Sequence, residues 1–223
     1  MLKNPIDYQL VADRIGDIRE TISLKSSNPV TVVAVTKGFG IDAARAAAQA
    51  GVYDIGENYA QEIIKKRGHL ESLGEAEAYR WHFIGALQRN KVRKISNIIS
   101  MWQSIDSFAL GDEVAKRCES PKILVQVNMA GSKTQGGVPA DEVPTLVERF
   151  HELDIHVEGL MTIGANGDRE ATLMHFRNLK ELSNSLGLTE CSMGMSDDYD
   201  LALEAGATIL RLGRSIFGNR DAD

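Results

Sequence analysis

The sequence is poor in cysteine, proline and aromatic residues and has no long apolar run. Its 223 residues include 2 cysteines and 5 prolines, and aromatic residues make up 6%. Cys118 and Cys191 are too few for a disulfide scaffold or an all-cysteine zinc site, so we interpret them as reduced core residues. No apolar stretch reaches about 18 residues, which excludes a transmembrane helix. The first residues lack the apolar segment of a secretion signal, and we therefore expect a cytoplasmic protein with no membrane contact.

The sequence also has no surplus of positive charge. Its 25 Lys and Arg are outnumbered by 31 Asp and Glu, which gives a formal net charge of −6. General nucleic-acid-binding proteins normally carry a basic surplus, so we expect no nucleic-acid partner. No set of His, Cys, Asp and Glu shows metal-ligand spacing, so no metal is expected. With 43% hydrophobic residues the chain can bury a sizeable core, which argues against disorder.

The sequence does contain a regular alternation of apolar runs and amphipathic segments. An amphipathic helix is predicted over about 6–26. The first apolar run, 30–35, is largely β-branched and lacks polar alternation, which is typical of a strand buried on both faces of a parallel sheet. The predicted strands are 30–35, 53–55, 81–85, 99–105, 122–127, 157–163, 191–193 and 208–212, and the helices that follow them are 42–50, 60–73, one after Gln88, 108–117, 142–153, 170–186 and 197–205.

Eight strands that alternate with helices predict an α/β protein with a parallel sheet and helical crossovers. Eight such units within about 220 residues fit a single (β/α)8 TIM barrel over about 30–220, with the helix at 6–26 as an addition. We therefore expect residues 1–223 to form one domain. An open, doubly wound sheet is the structural alternative.

Candidate functional residues follow the predicted strands, because a barrel of this kind places its active site at the carboxyl ends of its strands. Lys37 follows the first strand, where burial would lower the pKa of its amine and make it a nucleophile able to form a Schiff base. A lysine that extends out of the barrel mouth explains that position equally well. Gly213 follows the eighth strand, near the usual phosphate site of barrels, and Ser196 lies in the preceding loop. The alternative role for Gly213 is turn geometry alone.

Short motifs at the predicted strand ends extend over nearly the whole chain, from about residue 31 to residue 220. The main ones are Ala34-Val35-Thr36-Lys37, Gly56-Glu57-Asn58, Trp81-His82-Phe83-Ile84-Gly85, Gly159-Leu160-Met161-Thr162, Ser192-Met193-Gly194-Met195-Ser196-Asp197-Asp198 and Arg211-Leu212-Gly213. This combination resembles the pyridoxal phosphate homeostasis proteins, also called the proline synthetase co-transcribed bacterial homologue family. The resemblance implies a single-domain barrel similar to the N-terminal domain of alanine racemase.

The resemblance also implies a cofactor and the residues that bind it. Lys37 would carry pyridoxal 5′-phosphate (PLP) as a Schiff base, and Arg211 would face the pyridine nitrogen. Ser196 and the backbone amides around Gly213 and Arg214 would hold the phosphate. Because arginine donates to the ring nitrogen without protonating it, the ring would be a weak electron sink. The implied cofactor-binding residues are Lys37, Asn58, His82, Met161, Met193, Ser196, Arg211, Gly213 and Arg214.

Two positions depart from the family pattern. Arg214 stands where many members carry threonine, so we expect a backbone contact to the phosphate there, with the arginine charge as a further source of attraction. Gln135 stands where many relatives carry a lysine, before Gly136 and Gly137. This second departure leaves the role of the loop 131–137 open.

The function implied by the resemblance is PLP and vitamin B6 homeostasis, in which the protein acts as a carrier or buffer without catalytic turnover. The alternative is an amino-acid racemase of the alanine racemase type, which needs an acid/base group on each face of the bound substrate. In alanine racemase the second group is a tyrosine from another domain of the partner subunit, and we expect that domain to be absent from a chain that ends at Asp223. We therefore expect the carrier, with PLP and apo forms of PLP-dependent enzymes as partners, as a monomer. Regulation of PLP enzymes through protein contacts is a third hypothesis.

Overall fold

Eight parallel strands form a closed barrel in the part of the chain that the computed structural model describes, residues 5–132, 135–153, 155–165 and 167–219. The strands are β1 Thr31–Val35, β2 Asp54–Glu57, β3 Arg80–Phe83, β4 Ile99–Ile105, β5 Lys122–Gln126, β6 His156–Met161, β7 Glu190–Ser192 and β8 Ile209–Leu212. The α-helices are α1 Tyr8–Lys25, α2 Ile41–Gln49, α3 Ala60–Ser72, α4 Arg89–Ile95, α5 Phe108–Ala115, α6 Val143–His151, α7 Arg169–Ser185, α8 Tyr199–Glu204 and α9 Arg214–Phe217. Short 3₁₀ helices occupy Ala76–Ala78 and Ala140–Glu142.

The strand pairing closes the barrel without an edge. Each strand pairs in parallel with the next one along the chain, and β8 pairs with β1, where Val33 lies opposite Arg211. This confirms the predicted (β/α)8 barrel, and it excludes the open doubly wound sheet. The helix α9 was not predicted, because four residues are too few to show a helical period.

The predicted N-terminal helix is present as α1 and completes the outer layer of helices. It begins after Asp7, whose side chain accepts a hydrogen bond from the backbone N–H of Leu10 at 3.1 Å. Its buried residues Val11, Ile15 and Ile18 belong to the main core. α1 contacts α2 on one side and both α8 and α9 on the other. It therefore covers the place where a longer helix after β8 would lie.

Side chains alternate between two layers of core along each strand. Inside the barrel, Val33, Leu124, Met161 and Ile209 form a small apolar cluster. The larger cluster lies between the strands and the helices and contains most of the bulky aromatic side chains, including Trp81. The barrel interior is therefore small and shares its space with polar side chains, whereas the apolar burial that stabilises the fold lies mainly outside the strands.

Of the described helices, none is long and apolar enough to span a bilayer. The assignment of residues 1–223 to one domain stays a prediction, and its ends, 1–4 and 220–223, lie outside the described residues. Residues 133–134 of the loop 131–137 also lie outside them.

Candidate functional site

A cavity of about 280 Å³ opens at the carboxyl ends of the barrel strands. Its wall combines apolar side chains, among them Phe39 and Ile84, with three cationic ones. Seven of the nine cofactor-binding residues expected from the sequence line it: Lys37, Asn58, Met161, Ser196, Arg211, Gly213 and Arg214. The closed barrel brings them together because the carboxyl ends of all parallel strands meet at one end of it.

The other two expected residues, His82 and Met193, are not among the described residues that line the cavity. His82 is 4% exposed and lies deeper in the barrel, where its Nε2 is 3.0 Å from Asp54 Oδ1. Met193 is fully buried in the cluster between strands and helices, because it follows the inward-facing Ser192 and so points the other way. Neither side chain is among those that line this cavity, and a role for either in cofactor binding stays a prediction.

Lys37 is presented to the cavity by a tight turn after β1. Phe39 N–H donates to the carbonyl of Thr36 at 3.0 Å, which closes the turn. Gly38 has a φ of 77°, a conformation that glycine adopts at little cost. The carboxylate of Glu62 accepts a hydrogen bond from Gly38 N–H at 3.0 Å, so α3 helps to hold the turn.

A buried ion pair lies behind this turn. The side chains of Lys66 and Glu57 are 5% and 0% exposed and pair with each other. Lys66 Nζ also donates to the Thr36 carbonyl at 2.8 Å, and the Thr36 hydroxyl donates to Glu57 Oε1 at 2.5 Å. Burial raises the pKa of Glu57 to about 6, against the opposing effects of Lys66 and Thr36. These contacts fix the backbone next to Lys37.

Asn58 contributes a buried oxygen that has no hydrogen-bond partner among the described residues. This atom, Oδ1, belongs to a side chain that lines the cavity. Gly85 packs directly against its backbone, and a Cβ at Gly85 would overlap the carbonyl oxygen and Cα of Asn58. A buried acceptor without a partner is costly, but this oxygen is covered by protein atoms, so it is other atoms of Asn58 that face the cavity.

Hydroxyl groups and one arginine gather at the β7 and β8 side of the cavity. Ser196 Oγ accepts a hydrogen bond from Ser215 N–H at 3.0 Å and lies 3.2 Å from Ser215 Oγ. Arg214 is exposed and forms an ion pair with Asp197. Hydroxyls, backbone amides and a cation are groups that bind phosphate well, and they occupy the usual phosphate position of a barrel.

Arg211 lines the cavity from β8 and is almost completely buried, at 5% exposure. Its Nη1 donates to Ser192 Oγ at 2.6 Å and its Nη2 donates to the carbonyl of Thr162 at 2.8 Å. Burial lowers the pKa of Arg211 to about 10, although Asp198 acts in the other direction. The side chain therefore stays cationic near neutral pH.

Gln135 has a structural contact at the same end of the barrel. Its side-chain Nε2 donates to the backbone carbonyl of Ile163 at 3.0 Å, and its backbone carbonyl accepts from Asn128 Nδ2 at 3.1 Å. Because Ile163 lines the cavity, Gln135 ties its loop to the cavity wall. Within the described ranges, no group of three or more His, Cys, Asp or Glu side chains is placed to hold a metal ion.

The residues that support the site were not predicted from the sequence. The role of Lys66 could not be recognised from the sequence, because a lysine in an amphipathic helix is expected on the solvent-exposed face. Asp54, Gln103 and Ser192 are buried polar residues that stand among apolar residues in their strands. A polar residue inside an apolar strand was the available sign in the sequence that these side chains lie in the barrel interior. A buried polar side chain is costly unless it is hydrogen-bonded, so such residues indicate an internal network.

Comparisons with known proteins agree with this geometry. The family model described as "Alanine racemase, N-terminal domain" matches residues 6–221. A pyridoxal phosphate homeostasis protein of Pseudomonas aeruginosa is 35% identical over 221 residues, which cover 95% of this chain and 94% of the relative. A protein of the same name from Aquifex aeolicus is 39% identical over 182 residues, 76% of this chain and 78% of the relative.

Solved structures show the same relationship. PipY of Synechococcus elongatus, solved with PLP bound, has a TM-score of 0.83 and 31% identity, and the match covers 93% of this chain and 100% of PipY. Alanine racemase of Corynebacterium glutamicum has a TM-score of 0.69 at 16% identity, and the match covers 97% of this chain and 62% of the racemase. The second similarity shows the fold alone.

Proposed function

The chain belongs to the alanine racemase N-terminal domain family and, within it, to the pyridoxal phosphate homeostasis proteins, and we propose that it binds PLP at its strand-end cavity. In this proposal the protein holds PLP for intracellular vitamin B6 homeostasis, as a carrier or buffer. The observation that carries it is the meeting of Lys37, Arg211 and Ser196 in one cavity wall.

The cavity residues fit the chemical groups of PLP. When bound, PLP supplies an aldehyde, which condenses with an amine with loss of water, and an electron-withdrawing pyridine ring. We assign Lys37 to the aldehyde, Arg211 to the ring nitrogen, and Ser196 with Arg214 and its neighbouring amides to the phosphate. Asn58 contributes a polar side chain to the cavity wall. Met161 supplies apolar contact.

Arg211 favours holding over turnover. It is anchored by Ser192 and Thr162 and keeps its charge near neutral pH, so it offers N–H donors and no transferable proton. A ring nitrogen that accepts a hydrogen bond without a proton withdraws electrons weakly from a bound amine. The site therefore stores the aldehyde and gives little assistance to carbanion formation.

The racemase alternative is not favoured. Two-base racemisation needs an acid/base group on each face of the substrate, and Lys37 can serve only one. The described residues that line the cavity include no tyrosine for the other face. The relatives that match at 35% to 39% identity are named as homeostasis proteins, whereas the alanine racemases at 14% to 16% share the fold alone.

We also propose that PLP enters and leaves through the mouth of this cavity, that apo forms of PLP-dependent enzymes receive it, and that the protein acts as a cytoplasmic monomer. Arg214 and Met195, which line the cavity, are both exposed, which supports an open route between the site and solvent. Transfer can be tested by mixing PLP-loaded protein with an apo-enzyme and following the gain of enzyme activity. Size-exclusion chromatography with light scattering tests the monomer.

Covalent attachment of PLP to Lys37 is tested by spectroscopy and labelling. The purified protein with PLP should be yellow, and borohydride should fix one PLP on Lys37, as found by peptide mass spectrometry. Lys37→Ala should lose the label, whereas Lys65→Ala, which alters an exposed lysine on α3, should keep it. A full stoichiometric label in Lys37→Ala would show that the attachment site is wrong.

Turnover is tested separately by solvent deuterium incorporation at Cα of alanine. The carrier proposal expects no exchange at enzymatic rates. Exchange at about 1–10³ s⁻¹, the range of ordinary enzymes, would favour the racemase instead.

A further inference from the structure

A continuous chain of hydrogen-bonded side chains crosses the barrel interior from the amino end of β2 to the cavity. Asp54 Oδ1 lies 3.0 Å from His82 Nε2, and His82 Nδ1 lies 2.8 Å from Gln103 Nε2. Gln103 Oε1 accepts from the Ser192 hydroxyl at 2.6 Å, and Ser192 Oγ accepts from Arg211 Nη1 at 2.6 Å. All five residues are buried, and each stands on a different strand.

With a neutral His82 ring, the hydrogen-bonded chain has one internally consistent direction. A carboxylate only accepts hydrogen bonds, so Asp54 requires a proton on Nε2 of His82. In the neutral ring Nδ1 is then an acceptor, which must face the amide nitrogen of Gln103. The Gln103 oxygen is left for the Ser192 hydroxyl. Reversing the Gln103 amide would place its oxygen against an unprotonated ring nitrogen, acceptor against acceptor.

Asp54 is well suited to fix this direction. It begins β2, at the end of the barrel opposite Lys37, and its carboxylate also accepts two hydrogen bonds from Arg80, at 2.8 Å and 2.5 Å. Burial raises the pKa of Asp54, but the hydrogen bonds from His82 and Arg80 outweigh it and hold the pKa at about 2. The carboxylate is therefore ionised across the neutral range.

We propose that Asp54, His82, Gln103 and Ser192 are positioning residues for Arg211. Asp54 sets the tautomer of His82, and that tautomer sets, link by link, whether Ser192 directs an oxygen lone pair or its O–H toward the guanidinium. The inference rests on the proposed function, because Arg211 is the residue assigned to the PLP ring nitrogen.

The consequence for Arg211 follows from its donors. A guanidinium has five N–H groups in a fixed planar arrangement. In Arg211, Ser192 accepts a hydrogen bond from one terminal nitrogen and the Thr162 carbonyl accepts one from the other. The guanidinium keeps its position in the cavity wall only while these two anchors hold. If Gln103 turned its amide nitrogen toward Ser192, the hydroxyl would lose its acceptor in a buried space and the anchor would be disturbed.

The first test measures the tautomer of His82 by ¹⁵N NMR of its imidazole ring, in cofactor-free and PLP-loaded protein. We expect the proton on Nε2 at neutral pH in both forms. A proton on Nδ1, or on both nitrogens, would overturn the proposal, and this measurement needs no variant.

The second test compares Asp54→Leu and Gln103→Leu with Thr208→Val. Thr208, near the amino end of β8, donates a side-chain hydrogen bond to Glu190 and accepts one from Cys191 N–H. It does not belong to the hydrogen-bonded chain of five residues, so its substitution is the matched control. Both chain variants should shift the visible absorption maximum of bound PLP and raise its Kd about threefold to tenfold, the loss expected for one disturbed hydrogen bond. Thr208→Val should change neither.

The outcomes separate the two proposals. If PLP binds but both chain variants behave as Thr208→Val does, the positioning role is wrong and the proposed function stands. If wild-type protein binds no PLP, the proposed function fails, while the His82 tautomer still decides the direction of the chain. If Asp54→Leu does not fold, Gln103→Leu and the NMR measurement decide whether the positioning role holds.

Discussion

Lys66 Nζ donates a hydrogen bond to the backbone carbonyl of Thr36 at 2.8 Å, and so ties helix α3 to the residue that precedes Lys37. The same ammonium pairs with the buried carboxylate of Glu57, at the end of β2. One lysine thus connects two strand ends and one helix behind the cavity. The proposed PLP attachment site is therefore held by a residue that does not line the cavity.

Replacing Lys66 should destabilise the fold strongly. Lys66→Met leaves the Glu57 carboxylate buried without its cation, a change that typically costs about 3–5 kcal/mol. Urea unfolding followed by circular dichroism measures the free energy of unfolding. Lys65→Met is the matched control, because Lys65 is exposed and its loss should change that free energy by less than about 0.5 kcal/mol.

The double variant Lys66→Met/Glu57→Leu sharpens this prediction. It removes both charges, so it should recover much of the stability lost in the single variant. Equal unfolding free energies for wild type and Lys66→Met would contradict the buried ion pair.

Adding a methyl group at Gly85 should weaken PLP binding through Asn58. The new Cβ would lie 2.6 Å from Asn58 Cα and 2.8 Å from its Cβ, so the Asn58 backbone must move. We therefore expect the Kd for PLP of Gly85→Ala to rise at least about tenfold in a fluorescence titration, which corresponds to a loss of about 1.4 kcal/mol in binding free energy. An unchanged Kd would mean that the position of Asn58 is unimportant for binding.

The control for Gly85→Ala is Gly68→Ala. Gly68 lies within α3, and nothing is within 4 Å of a Cβ placed there. Since alanine favours a helix over glycine by about 1 kcal/mol, Gly68→Ala should stabilise the protein slightly and leave PLP binding unchanged.

Removing the Ser196 hydroxyl should lower affinity for the phosphate of PLP. Hydrogen bonds to charged groups contribute about 1.5–3 kcal/mol, so the Kd for PLP of Ser196→Ala should rise about tenfold to one hundredfold. Pyridoxal, which has no phosphate, is the control ligand, and its Kd should stay the same. A parallel loss for both ligands would place Ser196 away from the phosphate.

Asp54 should make a pH-dependent contribution to stability. Its pKa falls from 3.8 to about 2 on folding, because the hydrogen bonds from His82 and Arg80 outweigh burial. A depressed folded pKa stabilises the protein above the unfolded pKa, here by about 2 kcal/mol, and this contribution is lost as the pH falls toward 2. The unfolding free energies of wild type and Asp54→Asn should therefore differ most above pH 4 and converge near pH 2. A difference that is constant with pH would contradict this assignment.

Much of the fold could be predicted from the sequence. The β-branched run at 30–35 and the later apolar runs indicated all eight strands, and the amphipathic pattern indicated α1. Such patterns are local, since they follow from the periodicity of one segment at a time. Lys37 and Arg211 could also be placed at the cavity end of the barrel, because each stands at or next to the carboxyl end of a predicted strand.

The direction of individual side chains was harder to predict. Met193 was expected in the pocket, but it follows Ser192 and so faces the helices. His82 faces inward, one layer below the cavity. Strand periodicity shows that neighbouring residues alternate, but the pairing of strands and the depth of the layers decide which residues reach the cavity.

The sequence by itself determined the order of strands and helices and the residues at the strand ends, because these depend on local apolar patterns. Whether the sheet closes into a barrel or stays open was decided by the tertiary structure, in which β8 pairs with β1. Only the tertiary structure decided the partners inside the barrel. Gln103 and Ser192 are 89 positions apart and Ser192 and Arg211 are 19 apart, yet they form one hydrogen-bonded chain. The physical reason is that a buried polar group must find its partner in space, and the closed sheet sets which strands can supply it.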